Sequence, residues 1–122
     1  MAVPQQLQQL SLDLQKIQGD LSSTIEARQR LDAQLSENEL VQKEFKSLTP
    51  ENVVYKQLGP VLVKQDQEEA KQNVATRLDF IRGEIKRVEN QLKDIQAKAD
   101  QKKQEIANAQ ANLQVEPSKA TP

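Results

Sequence analysis

The main candidates for acid–base or metal chemistry in this chain are its 18 aspartates and glutamates, because it contains neither histidine nor cysteine. Without these two residue types, the commonest general base, a thiolate nucleophile and the ligands of zinc fingers are all missing. The carboxylates are interspersed with 17 lysines and arginines, a pattern that predicts solvated ion pairs along helix surfaces. We therefore expect no enzyme activity, no metal site and no cofactor.

Nucleic-acid binding is also disfavoured by the charge pattern. The formal net charge is −1, with both signs interspersed, so the sequence offers no basic stripe for phosphates or anionic lipids. The three glycines are isolated, which excludes a glycine-rich phosphate loop. Tyr55, Phe45 and Phe80 fit packing around a central segment better than base stacking. A hairpin that binds nucleic acid is thus the least favoured reading, and the remaining chemistry is non-covalent binding by apolar side chains.

The composition limits how such side chains can be arranged. Only 36% of the 122 residues are hydrophobic and 2% are aromatic, against about 45–50% apolar residues in globular domains. The chain must then be either disordered or helical with a narrow apolar seam. The first residues, MAVPQQLQQL, lack the pattern of a signal peptide. No apolar run approaches the roughly 18 residues of a membrane span, so we expect a soluble, cytoplasmic protein.

Two proline-free windows, 5–49 and 61–116, carry the periodicity that decides in favour of helices. Apolar residues recur at alternating steps of three and four, which is typical of a coiled coil rather than of helices around a globular core. In the first window the frame comprises Leu7, Leu10, Leu14, Ile17, Leu21, Thr24, Arg28, Leu31, Leu35, Asn38, Gln42 and Phe45. In the second it comprises Val74, Leu78, Ile81, Ile85, Val88, Leu92, Ile95, Ala99, Lys102, Ile106, Ala109 and Leu113.

The two helices are predicted to fold back on each other. In an antiparallel pair of helices, the numbers of two facing residues always add up to the same total. If Leu35 faces Ile81, that total is 116, and this register brings the apolar frame of one helix against the apolar frame of the other. Registers shifted by one heptad suit the pattern equally well. Only the total of 116 puts the bend at Leu58–Gly59, beside the strongest turn signal of the chain, Gly59-Pro60. We therefore predict a mainly α fold: a long antiparallel two-helix coiled coil with one β-hairpin at its connecting end.

The predicted boundaries follow from these signals. Helix 1 spans 5–48, the connection with the hairpin spans 49–65, helix 2 spans 66–114, and a disordered tail spans 115–122, all in one domain. Asp66, with Glu69 three residues later, predicts the capped start of helix 2. Pro50 marks the end of helix 1.

The hairpin is the first candidate interaction site. Its β-branched runs flank a Gly-Pro turn, and an isolated pair of strands is marginal in water. Leu40, Val41, Leu48 and Phe80 lie off the seam nearby and add apolar surface. We expect strands of other subunits to complete the sheet; the alternative is a hairpin that folds down onto its own helices. The predicted interface residues are Val53, Val54, Tyr55, Leu58, Gly59, Val61, Leu62 and Val63.

The opposite end of the coiled coil is the second candidate site. Apolar residues with few predicted neighbours collect there and could bind exposed hydrophobic segments of another protein. Simple fraying of the helix ends without a function explains them equally well. The candidate residues are Leu7, Leu10, Leu12, Ile106 and Leu113.

Beyond these patterns, the segment VVYKQLGPVLVKQDQEEAKQNVATRLDFI, residues 53–81, resembles the β-type subunits of prefoldin. Its most specific part is YKQLGPVLVKQ, followed by Glu-Glu-Ala at 68–70 and by Arg77-Leu78. The flanking heptads agree in length and spacing, so the resemblance covers nearly the whole chain.

The resemblance implies a heterohexamer of two α-type and four β-type subunits, in which the hairpins form β-barrels and six coiled coils project from them. It also implies that the coiled-coil tips hold non-native proteins, actin and tubulin among them, and pass them to the cytosolic chaperonin without ATP. These partners come from the family and not from the composition of the chain. The competing interpretation is a coiled-coil structural tether or assembly scaffold that holds no client protein.

Overall fold

The computed structural model describes the backbone of residues 4–120 and the side chains of residues 4–113. Within that range the chain forms helix α1 (Gln5–Lys46), strands β1 (Val54–Leu58) and β2 (Val61–Gln65), and helix α2 (Gln67–Ala120). The two strands pair with each other in an antiparallel hairpin between the helices. This order confirms the predicted fold class.

The helix ends reflect local hydrogen bonding. α1 ends two residues before the predicted bound, where Ser47 and Leu48 donate their N–H groups to the carbonyls three residues back, at 3.1 and 3.3 Å. α2 begins after Asp66, whose carboxylate accepts a 3.1 Å hydrogen bond from the Glu69 N–H. That contact confirms the predicted cap and satisfies an amide that the helix itself leaves unpaired.

The end of α2 differs from the sequence expectation. The helical backbone continues to Ala120, six residues beyond the boundary predicted at 114. Residues 121 and 122 of the predicted tail lie outside the described residues.

The hairpin turn consists of Gly59 and Pro60, since Leu58 pairs directly with Val61. Gly59 has a φ of +60°, and proline holds φ near −65°. A positive φ followed by a negative one excludes the type I′ turn and leaves type II′, which places glycine first. The Gly-Pro pair therefore sets both the turn type and the register of the hairpin.

The chain divides into two compact units, and each contains parts of both helices. One unit comprises residues 1–27 with 88–122, and the other comprises residues 28–87, including the hairpin. In the first unit, α1 residues Leu7, Leu10, Leu14, Ile17 and Leu21 are half-buried against α2. In the second, the packing centres on Leu78, which is fully buried, with Ala70, Val74, Ile81 and Ile85.

The predicted seam and its register agree with the structure inside each unit. All described frame residues are buried or half-buried except Leu113. Lys102 Nζ lies 3.8 Å from an Asp13 carboxylate oxygen in the first unit, and Arg77 donates a 3.5 Å hydrogen bond to Asn38 in the second. The residue numbers of both pairs total 115, within one of the predicted 116 and far from the heptad-shifted alternatives.

Within the described residues, neither helix has a stretch long and apolar enough to cross a membrane.

Candidate interaction surfaces

The hairpin surface comprises the eight residues predicted from the sequence, and the structure places them together. Their apolar side chains are largely open to solvent: Leu62 is 65% exposed, and Tyr55, Leu58 and Val61 are each more than half exposed. Val53 and Val63 are also exposed, while Val54 is half-buried and Gly59 forms the turn. The described helices therefore leave this hairpin uncovered.

Apolar side chains occupy both faces of the hairpin, because successive residues of a strand point in opposite directions. Leu58 and Val61 form a cross-strand pair on one face, which also carries Val63. Leu62 lies on the other face, opposite Gln57. Both strands are also edge strands, with backbone groups free to pair with further strands. Two open faces and two open edges make this surface suited to addition of other chains.

A cleft of about 710 Å³ lies beside the hairpin in the same unit. Its apolar walls come from Val41 and Phe45 of α1, Phe80 of α2, and Val54 and Tyr55 of β1. Phe80 is 66% exposed although it lies in the helix that supplies all the buried residues described. Leu40 is exposed and Leu48 is half-buried. The structure thus brings Val41 and Phe80, two of the four off-seam residues predicted near the hairpin, into one cleft.

The loop before β1 contains contacts that the sequence analysis missed. Asn52 Oδ1 accepts hydrogen bonds from the backbone N–H and the hydroxyl of Thr49, at 2.7 and 3.1 Å. Gln67 Nε2 donates to the backbone carbonyls of Thr49 and Asn52, at 3.0 and 3.3 Å. Proline and asparagine are typical turn residues, but no sequence signal indicates that Gln67 would meet this turn.

The second predicted site, here called the tip surface, is only partly assembled. Leu7, Leu10 and Leu113 line one cleft of about 360 Å³ together with Ala109 and Pro4. Ile106 is half-buried and does not line that cleft. Leu12 is 60% exposed and also lies outside it. Three of the five predicted residues therefore share one apolar surface.

Charged groups in the described helices form ordinary ion pairs. Lys102, the only charged residue predicted in the second seam, lies between Asp13 of α1 and Glu105, 3.2 Å away. On the surface of α2, hydrogen bonds from Arg87 lower the pKa of the Glu84 carboxyl below its usual value. Such pairs stabilise helices and do not constitute a catalytic arrangement.

Comparison with known proteins gives concordant results. A family model described as prefoldin subunit matches residues 8–112. Prefoldin subunit 6 of Mus musculus is 47% identical over 100 residues, which cover 82% of this chain and 79% of the mouse protein. Prefoldin subunit 6 of Saccharomyces cerevisiae is 39% identical over 100 residues, covering 82% of this chain and 88% of the yeast protein.

A solved structure supports the fold. The crystal structure of the prefoldin beta subunit from Thermococcus strain KS-1 matches with a TM-score of 0.80, covering 88% of this chain and 95% of that one. At 24% identity this match concerns the fold alone. The family model spans most of the chain, and the resemblance predicted from residues 53–81 is confirmed. The chain belongs to the prefoldin subunit family.

Proposed function

We propose that this chain is a β-type subunit of a hetero-oligomeric, ATP-independent holdase that binds non-native proteins and works in the cytoplasm. The observation that carries this proposal is the hairpin surface, whose apolar side chains are exposed on both faces and along two open edges. Exposed apolar surface of this kind marks a site of association. Membership of the prefoldin subunit family supports association with other prefoldin subunits.

The hairpin surface is the proposed assembly site. Strands of neighbouring subunits add to the free edges of β1 and β2 and cover Leu62 on one face and Val61 on the other. Two α-type and four β-type subunits make up the proposed heterohexamer, as the family resemblance implies. The tether or scaffold alternative uses the same assembly site and differs only in holding no client.

The tip surface is the proposed client site, with Leu7, Leu10 and Leu113 as its contact residues and Leu12 and Ile106 as neighbours. A cleft of about 360 Å³ offers little contact area, so each tip binds weakly and reversibly. Several tips on one assembly raise the effective concentration and hence the avidity. Transfer of actin- or tubulin-type clients to the cytosolic chaperonin then needs no nucleotide, because the chaperonin displaces the tips one by one.

The test is suppression of aggregation by the assembled complex, followed by light scattering of a denatured protein. A complex trimmed of residues 1–12 and 106–122 of this chain should lose most of the protection while keeping its subunit composition. In the full-length chain, Leu7→Ser, Leu10→Ser and Leu113→Ser together should weaken protection. The matched control replaces three exposed polar residues that do not line the cleft, Gln8, Gln15 and Gln110, by serine.

The possible outcomes distinguish the holdase from the structural tether. Equal protection by the trimmed and the complete complex would contradict the tip assignment. A complete complex that assembles but never suppresses aggregation would overturn the holdase function and support the structural tether.

A further inference from the structure

The hairpin leaves and rejoins the helices at a small hydrogen-bonded turn. After α1, the Asn52 N–H donates to the Thr49 carbonyl at 3.0 Å, and the Asn52 side chain accepts from the N–H and hydroxyl of Thr49. Three hydrogen bonds therefore hold residues 49–52 in one conformation immediately before β1. The conformation of the segment that leads into the hairpin is therefore fixed by hydrogen bonds within that segment.

A single side chain connects this turn to the other end of the hairpin. Gln67 follows β2 and is the first residue of α2. Its amide donates to the carbonyls of Thr49 and Asn52, which lie 18 and 15 residues earlier in the chain. Asp66 caps the same helix end through the Glu69 N–H, so the residue beside Gln67 is itself anchored. The entrance and exit of the hairpin are thus joined at its base.

Such a junction matters because little else in the described structure can orient the hairpin. Its side chains are mostly exposed, and a two-stranded sheet without cover is marginally stable. A surface that becomes ordered only on binding loses affinity, because part of the binding free energy is used to order it. A surface that already has its bound conformation, here called preset, avoids this loss. Hydrogen bonds at the base are the available means of presetting it.

We propose that Thr49, Asn52 and Gln67 form a clasp that holds the hairpin in one orientation on the first turn of α2 before partner subunits bind. Asn52 and Gln67 are then positioning residues for assembly: they act through the hairpin surface and do not contact the partner. The consequence for assembly rests on the proposed function, whereas the clasp itself concerns the isolated chain.

The clasp is tested first without partners, by amide hydrogen exchange of the full-length chain followed by NMR. Gln67→Leu removes both donors at similar side-chain size, and Asn52→Ala removes the acceptor. Each should accelerate exchange of the paired amides in residues 54–65 about three- to tenfold, as loss of two hydrogen bonds in an exposed loop implies. Exchange in residues 74–88 of α2 should stay unchanged.

Two further variants distinguish the clasp from a general effect on folding. Asn52→Asp keeps an acceptor oxygen for Thr49 and should retain wild-type protection. Gln72→Leu makes the same substitution on an exposed position of α2 and should have no effect on the hairpin. Unchanged hairpin exchange in both Gln67→Leu and Asn52→Ala would overturn the clasp, as would equal acceleration by Gln72→Leu.

The second measurement is the affinity for the α-type and other β-type subunits of the same organism. If only the preset hairpin binds, the affinity scales with the fraction of chains in the preset state. Gln67→Leu should therefore weaken binding by the factor by which it lowers that fraction, which the exchange data give. A fall in that fraction with unaltered affinity would overturn the positioning role. Absence of binding by the wild-type chain would instead refute the proposed function, while the exchange data would still decide the clasp.

Discussion

At the scale of single residues, solvent exposure distinguishes the side chains of α2 that pack in the core from those available to bind other molecules. Leu78 is fully buried, whereas Phe80, two residues further along the same helix, is 66% exposed. Every buried residue among those described lies in α2, whereas the frame residues of α1 are all half-buried. The α1 frame includes four polar residues, Thr24, Arg28, Asn38 and Gln42, whereas Lys102 is the only polar residue in the α2 frame. This difference accounts for part of the asymmetry, since polar side chains are seldom fully buried.

This difference predicts opposite results for two truncations to alanine. Leu78→Ala leaves a cavity and should lower the free energy of unfolding of the isolated chain by about 2–5 kcal/mol. Phe80→Ala removes a side chain already in water and should change it by no more than about 0.5 kcal/mol. Urea unfolding followed by circular dichroism measures both. Similar losses in the two variants would contradict the assignment of Leu78 to the core.

At the scale of elements, the hairpin follows from the geometry of its turn but is not a self-sufficient structure. The Gly59-Pro60 turn sets the strand register, and Asp66 starts α2 directly after β2. The resulting sheet of two strands exposes apolar groups on both faces. We therefore propose that other chains stabilise it in an assembly.

A charge on the hairpin should consequently block assembly and leave the helices intact. Leu62→Asp or Val61→Asp would bury an unpaired carboxylate in the proposed shared sheet, at a cost of several kcal/mol, on the order of 2–7 for an unpaired polar group and more for a charge. Far-ultraviolet circular dichroism should stay nearly unchanged while co-purification with partner subunits is lost.

Leu12→Asp is the matched control for this prediction. Leu12 is 60% exposed and belongs to the other unit, so the same substitution there should leave co-purification unaffected. Full assembly of the Leu62→Asp and Val61→Asp chains would count against the shared sheet.

At the scale of the whole molecule, the two candidate surfaces belong to different units. The hairpin surface lies in residues 28–87, and the tip surface lies in residues 1–27 and 88–122. Substitutions at separate sites without shared contacts have nearly additive effects. Assembly and client holding should therefore be separable by mutation.

The native mass of the chain tests the proposed assembly directly. Mixed with α-type and other β-type subunits, this 13.8 kDa chain should enter one species with the mass of six subunits, as native mass spectrometry would show. By itself it should self-associate as its concentration rises, because its hairpin surface is uncovered. A chain that stays monomeric at every concentration and ignores its partners would contradict the proposal.

The sequence by itself determined the helices, the hairpin and the register between the two helices. These features depend on local signals: apolar residues at steps of three and four, prolines outside the helices, and a Gly-Pro turn that locates the bend. The same periodicity identified the frame residues, from Leu7 to Phe45 and from Val74 to Ala109, that are buried or half-buried within each unit.

Only the tertiary structure decided which of the predicted site residues meet, because contacts between distant residues depend on helix rotation and side-chain reach. It joined Leu7, Leu10 and Leu113 in one cleft and left Ile106 outside, although all four residues belong to the predicted frames. It also brought Gln67 to the carbonyls of Thr49 and Asn52 and Asp13 to Lys102. Polar pairs of this kind carry no periodic signal, so they emerge only once the chain has folded.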